Sequence, residues 1–246
     1  MRRASAVVVA VLLCGACTSP TTPSETNIPQ TAEPPSVPAP APVPMPPPTA
    51  APTARYRATF ESTWTSATHP VDFPASAHFS PLVGGTHSAA ATFWREGAVA
   101  SDGIKDMAER GLTTTLVAEI AAAVAAGTAE RGFTAGGLLT TPGSVSVEFD
   151  ISQAHPLVTL VSMVAPSPDW FVGVSRLALF DNGDWIEERR VTLTPWDAGT
   201  DGGATFTSPD LVTAPRQPIS PIVTAPLSPG GQVTPLGTFT FTRIRN

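Results

Sequence analysis

Prolines between residues 18 and 54 divide this chain before any pattern of secondary structure is considered. Runs such as Pro34-Pro35 and Pro46-Pro47-Pro48 dominate the stretch, with Ala, Thr, Ser and Val between them. A segment of this kind cannot bury enough apolar surface to offset the entropy of ordering it. It favours extended polyproline II at roughly 3.1 Å per residue, a reach on the order of 100 Å. Residues 17–54 therefore read as a disordered spacer, which holds the remainder of the chain away from a membrane. The folding information lies in residues 55–246, where Trp, Phe, Val and Leu return over about 190 residues. That is one domain with room for a packed core.

Ahead of the spacer, residues 1–16 read as an export signal. Arg2 and Arg3 give a positive start, and Ala4 to Leu13 form an apolar run of about ten residues, too short to span a bilayer. The run closes on the small residues Gly15 and Ala16, directly before Cys17. This stretch resembles the bacterial lipoprotein box, with Cys14 standing where that box usually carries Leu. A cut before Cys14 would place Leu12 and Leu13 at the cleavage site, a poorer fit. The expectation is a diacylglycerol on Cys17 and an extracytoplasmic chain held at a bacterial membrane. Two acyl chains, at about 0.8 kcal/mol per buried CH₂, make a firm anchor.

Both cysteines, Cys14 and Cys17, lie in this leader. The chain beyond them has no thiol for a disulfide, a zinc site or a nucleophile, so its stability must come from packing. The net charge of -6 gives no electrostatic case for nucleic acid. No apolar stretch after the leader is long enough for a transmembrane helix.

Within 55–246 the pattern is mainly β. Tyr56 to Trp64 alternates, and so does Val145 to Ile151. Leu157 to Val164 is a richer apolar run that suits a central strand, and Phe171 to Phe180, Arg190 to Leu193 and Thr238 to Ile244 complete the set. One region, about 101–127, breaks the rule. Ser101 and Asp102 are helix-capping residues, with Ile104, Met107 and Ala108 at helical spacing up to Gly111. Leu116, Val117, Ile120 and Val124 repeat the pattern up to Gly127. Two short helices are predicted there, followed by a loop over 127–144.

None of the four histidines, His69, His78, His87 and His155, falls in a zinc-binding motif. Gly173-Val174-Ser175-Arg176-Leu177 approaches a nucleophile elbow but lacks the final Gly. The acids carry more. Glu148, Asp150, Asp169, Asp181, Asp184, Glu187, Glu188, Asp197, Asp201 and Asp210 crowd one third of the chain. Several fall at strand ends, as in Pro168-Asp169-Trp170 and Trp196-Asp197-Ala198-Gly199-Thr200-Asp201. Loop carboxylates gathered at one end of a sandwich suit Ca²⁺, a hard ion that takes six to eight oxygens. Asp beside Pro and Gly is equally good turn chemistry, and spacing alone leaves both readings open.

Pro166-Ser167-Pro168-Asp169-Trp170-Phe171-Val172-Gly173-Val174, followed by Pro195-Trp196-Asp197-Ala198-Gly199-Thr200-Asp201, resembles the spondin domain, the F-spondin-type module. The likeness continues through Phe79-Ser80-Pro81-Leu82-Val83-Gly84 and His87-Ser88, which match the family's early loops. It extends to Ser101-Asp102-Gly103-Ile104-Lys105 and to Thr205-Phe206-Thr207-Ser208-Pro209. The resemblance implies an antiparallel β-sandwich, C2-like, with a calcium ion at one end, and adhesion or recognition without catalysis. It places the calcium carboxylates on Asp169, Asp197 and Asp150, the last a departure because that position is usually Glu. Trp170 and Trp196, beside these acids, are either core or an aromatic platform for a sugar or a protein. The relatives' cysteines are missing, with Phe180 where one is common.

The resulting expectation is a lipid-anchored, calcium-binding recognition module whose partner is a surface protein or a glycan. One alternative is an extracytoplasmic hydrolase using paired carboxylates, for instance a glycoside hydrolase, with Glu109 and His155 as further acids or bases. Another is a structural envelope protein in which calcium only stabilises the fold.

Overall fold

The computed structural model describes residues 53–245, so the signal segment, Cys17 and the spacer up to residue 52 lie outside the described residues. In chain order the strands are β1 (Thr53–Ser62), β2 (His78–Phe79), β3 (Val83–His87), β4 (Ala129–Thr134), β5 (Gly143–Ser152) and β6 (Leu157–Ala165). They continue as β7 (Trp170–Ala178), β8 (Phe180–Asp181), β9 (Asp184–Trp185), β10 (Glu188–Leu193), β11 (Trp196–Asp197), β12 (Ser220–Pro221) and β13 (Gly237–Ile244). Helices α1 (Asp102–Arg110) and α2 (Thr114–Ala125) sit between β3 and β4. The first strand, β1, starts at Thr53.

The strands form two main antiparallel sheets. One runs β10-β13-β1-β5, and the other runs β12-β11-β7-β6-β3-β4 with β2 added beside β6. This is the mainly β architecture with a helical insert that the pattern predicts, and the antiparallel sandwich that the resemblance implies. Between the sheets lies a core of Tyr56, Phe60, Phe149, Val158, Leu160, Val172, Phe239 and Phe241. The helices cover the far face of the larger sheet, packing Ile104, Met107, Leu116 and Ile120 against Val83, Val161, Met163 and Phe171.

These layers explain the burial patterns. β1 and β13 alternate because one face of their sheet meets water. β6 is buried on both faces, by the core on one side and the helices on the other, hence a run that is apolar except for Thr159 and Ser162. Helix α1 starts and stops as its end residues dictate. Ser101 Oγ accepts from the Ile104 N–H at 3.2 Å, and Gly111 takes the left-handed φ of 65° that closes α1.

Two stretches read as loops are strands. β3 contains Gly84-Gly85, weak strand formers, because the neighbours come too close for side chains. A Cβ on Gly84 would stand 2.1 Å from the Thr159 carbonyl. β4, within the expected 127–144 loop, is an edge strand whose mixed burial carries no alternation. The run Phe171 to Phe180 also breaks, at Leu179, whose N–H turns to the Pro156 carbonyl. Phe180 instead opens the small β8–β9 hairpin and packs on Trp185.

Candidate functional site

The turn between β6 and β7 and the loop after β11 meet at one end of the larger sheet, because β11 pairs with β7 in the register Asp197↔Trp170 and Trp196↔Phe171. Asp169 enters from the first segment, and Asp197 and Asp201 from the second. Asp169 is fully buried. Its Oδ2 accepts three hydrogen bonds, from Thr200 N (2.7 Å), Thr200 Oγ1 (3.1 Å) and Asp201 N (3.0 Å). Its Oδ1 is buried without any partner. Burial, reinforced by the charge of Asp197, pushes its pKa up to about 6 despite those hydrogen bonds.

Asp197 accepts from the Gly199 N–H at 2.7 Å through Oδ1, and burial also raises its pKa. Gly199 has φ 71°, and a Cβ there would lie 2.2 Å from the Gln217 carbonyl, so glycine is required for the loop to close. Asp201 sits in the same ring, with Oδ1 on Gly203 N (2.7 Å) and Oδ2 on Leu211 N (3.0 Å). Both of its oxygens are consumed in turn-making. It holds the loop and adds negative charge beside Asp197. Its membership was visible only as the last residue of the Trp196–Asp201 motif, since Asp followed by Gly is common in any turn.

Asp150 is not brought to this cluster. It lies on β5 opposite Arg55, with its carboxylate 2.9 Å from Arg131 and 3.9 Å from Arg55. Trp64, just past the other end of β1, packs on Phe206, which packs on Trp170 beside Asp169. Asp150 is seven residues back along β1 from Ser62 in the register, about 23 Å at strand rise. The placement of Asp150 among the calcium ligands is therefore corrected. Among the described residues, no three His, Cys, Asp or Glu side chains are gathered closely enough to hold a metal by themselves. An ion at Asp169 and Asp197 would draw its other oxygens from backbone carbonyls and water. The donor set fits a hard cation, since an orphaned buried carboxylate oxygen beside a second carboxylate is relieved by divalent charge.

The two tryptophans part company. Trp170 is buried in the inter-sheet core, its ring 5.3 Å from Phe206. Trp196 is half-buried, 5.3 Å from Trp94, and lines a surface cavity. Of the residues considered for hydrolysis, Glu109 is ion-paired with Lys105, and His155 Nε2 lies 3.2 Å from the Gly127 carbonyl. Among the described residues, no helix is long and apolar enough to cross a membrane.

A two-sheet antiparallel sandwich with a helical layer and an acidic loop cluster at one end defines the class. The chain belongs to the spondin family: the Spondin_N family model matches residues 54–230. It is 37% identical to Spondin-2 of Homo sapiens over 166 residues, 66% of this chain and 50% of that one. Spondin-2 of Rattus norvegicus is 36% identical over 195 residues, 74% of this chain and 59% of the relative. Spondin-1 of Homo sapiens is 35% identical over 194 residues, 74% of this chain but 24% of the relative. The chain thus spans about half the length of the Spondin-2 proteins and about a quarter of Spondin-1.

Proposed function

We propose that this chain is an extracytoplasmic recognition module, anchored by a lipid on Cys17, that binds Ca²⁺ at Asp169 and Asp197 and performs no catalysis. The observation that carries the reading is Asp169 Oδ1, a fully buried carboxylate oxygen with no partner, next to the second carboxylate of Asp197. Leaving such an oxygen uncompensated is costly, and a divalent ion removes both the desolvation and the repulsion. Kinship with the spondin family supports an adhesion or recognition role. The leader and the proline-rich spacer support display at a distance from a membrane. Outside the cytoplasm a site of about 10⁻⁴ to 10⁻³ M suffices for calcium.

The test is a thermal melt after EDTA treatment, with calcium or magnesium added back. Calcium is expected to raise Tm more than magnesium, and Asp197→Ala is expected to abolish the rise. An unchanged melt in the native chain would end the calcium reading. Lipidation is tested separately by mass spectrometry of the membrane fraction, where Cys17→Ser should release the chain. A Cys17→Ser chain that stays membrane-bound would end the lipid reading.

A further inference from the structure

The cationic side chains of the domain are unevenly neutralised. Of its twelve Lys and Arg residues between 53 and 245, eight are ion-paired: Arg55, Arg57, Lys105, Arg110, Arg131, Arg216, Arg243 and Arg245. Among the described residues the four without a carboxylate partner are Arg95, Arg176, Arg189 and Arg190; the first two lie beside one seam of the sandwich and the last two on β10, a strand that borders it. This seam runs between β7 of the larger sheet and β10 of the smaller, and it holds a cavity of about 540 Å³. Arg95 and Arg176 line the cavity, with Glu96 as the one acid among the lining residues. Arg189 stands opposite Phe241 in the sheet, so it shares the face turned toward β7, and Arg190 follows on the outer face.

The backbone at this seam is also unpartnered. β11 pairs with β7 only at Trp170 and Phe171, so on the side away from β6 no strand accompanies β7 from Val172 onward. β10 is likewise an edge strand. Free edges of this kind present alternating N–H and C=O groups to any extended chain. Val174, Leu177 and Val191 give the cavity an apolar floor. At its end Arg176 adopts φ 54°, uncommon for a residue with a side chain, and its N–H bonds to Thr159 Oγ1 at 3.1 Å. Its guanidinium is oriented by Ala89 O, Ala91 O and Thr92 Oγ1, all through Nη1. Nε and Nη2 make no hydrogen bond within the described residues. A strained residue that the fold holds firmly, with donors left over, marks functional positions.

We infer that the β7–β10 seam binds an extended acidic peptide segment of a partner protein, added as a strand along β7 from Val172 to Ser175. Apolar side chains on one side of that segment enter the cavity against Val174 and Val191. Its carboxylates meet Arg95, Arg176 and Arg189. Alternation of acidic and apolar residues is the pattern that period-two pairing selects. The free strand edge favours a peptide over an anionic glycan, which has no backbone to match it. This inference deepens the recognition reading and rests on it, although its site is not the Asp169 cluster.

The experiment titrates the purified full chain with a capped octapeptide of alternating Glu and Val, followed by calorimetry and tryptophan fluorescence. Binding with Kd on the order of 10⁻⁵ M is expected. Replacing Glu by Lys in the peptide should abolish it, and N-methylation of alternate peptide nitrogens should weaken it about tenfold or more. Arg95→Gln with Arg189→Gln, both exposed, should weaken it about tenfold, whereas Arg57→Gln should not. No binding, binding indifferent to N-methylation, or binding of a sulfated oligosaccharide in place of the peptide would overturn the inference. The calcium melt is recorded on the same sample, so a failed titration with an intact calcium shift rejects the seam alone.

Discussion

Two regions of this domain gather carboxylates and treat them in opposite ways. On the outer face of the four-stranded sheet, Glu148 and Asp150 stand in solvent among Arg55, Arg57 and Arg131. Hydrogen bonds from Arg57 and then Arg55 hold the Glu148 carboxyl below the usual range. At the end of the larger sheet, Asp169 is buried and Asp197 half-buried, neither is ion-paired among the described residues, and both are pushed upward. The same residue type is thus neutralised by arginine in one place and left with unbalanced charge in the other. Exposed ion pairs contribute little to stability, while a buried, uncompensated carboxylate is destabilising enough to require an external partner. The contrast separates acids that decorate a surface from acids that make a site.

The largest effect expected at the buried end belongs to its packing. Trp170→Ala should destabilise the fold by about 3–5 kcal/mol, read as a fall in Tm of about 10 °C. A small loss would mean that the loops, and not the core beneath them, hold Asp169 in place. Next comes the metal. If calcium saturates the site a hundredfold, linkage adds about 2.7 kcal/mol. Asp169→Asn should remove that calcium shift, and Asp150→Asn should leave it intact. A calcium response lost equally in both variants would erase the distinction between the two regions.

Acidity probes the same contrast without a metal. The folded-state pKa of Asp169, about 6, lies above the ordinary carboxylate value, so the folded chain holds that proton more tightly than the unfolded chain. The contribution of Asp169 to metal-free stability should therefore fall as pH rises from about 4 through about 6, by on the order of 2 kcal/mol, while His69 and His87, whose pKa values burial lowers, act in the opposite direction. Denaturant melts of the native chain and of Asp169→Asn at pH 5 and pH 7 in EDTA would read it as a change in their stability difference, in which the histidine contributions cancel. A stability difference between the native chain and Asp169→Asn that does not fall from pH 5 to pH 7 would contradict the proposed burial cost. The smallest effect is expected on the open sheet, where Asp150→Asn should move Tm by about 2 °C or less.

Much of this was legible in the sequence because it depends on neighbours close along the chain. Alternation in Tyr56–Trp64 and Val145–Ile151 announces strands with one wet face. The Ser101 cap and the glycine at 111 announce the limits of α1. The Pro-Ser-Pro-Asp-Trp and Trp-Asp-Ala-Gly motifs singled out Asp169 and Asp197, which the fold brings to the same end of the sheet. Local pattern could not find β3, since two glycines there answer to the closeness of β6 and β4 and not to strand propensity. It could not find β4, an edge strand without alternation. Nor could it place Asp150, whose position among arginines follows from the β1–β5 register, or show that both oxygens of Asp201 are spent on its own loop. Periodicity and capping are short-range and written into the chain. Which carboxylate meets arginine and which is buried alone depends on strand register and layer packing, and only the tertiary structure decides those.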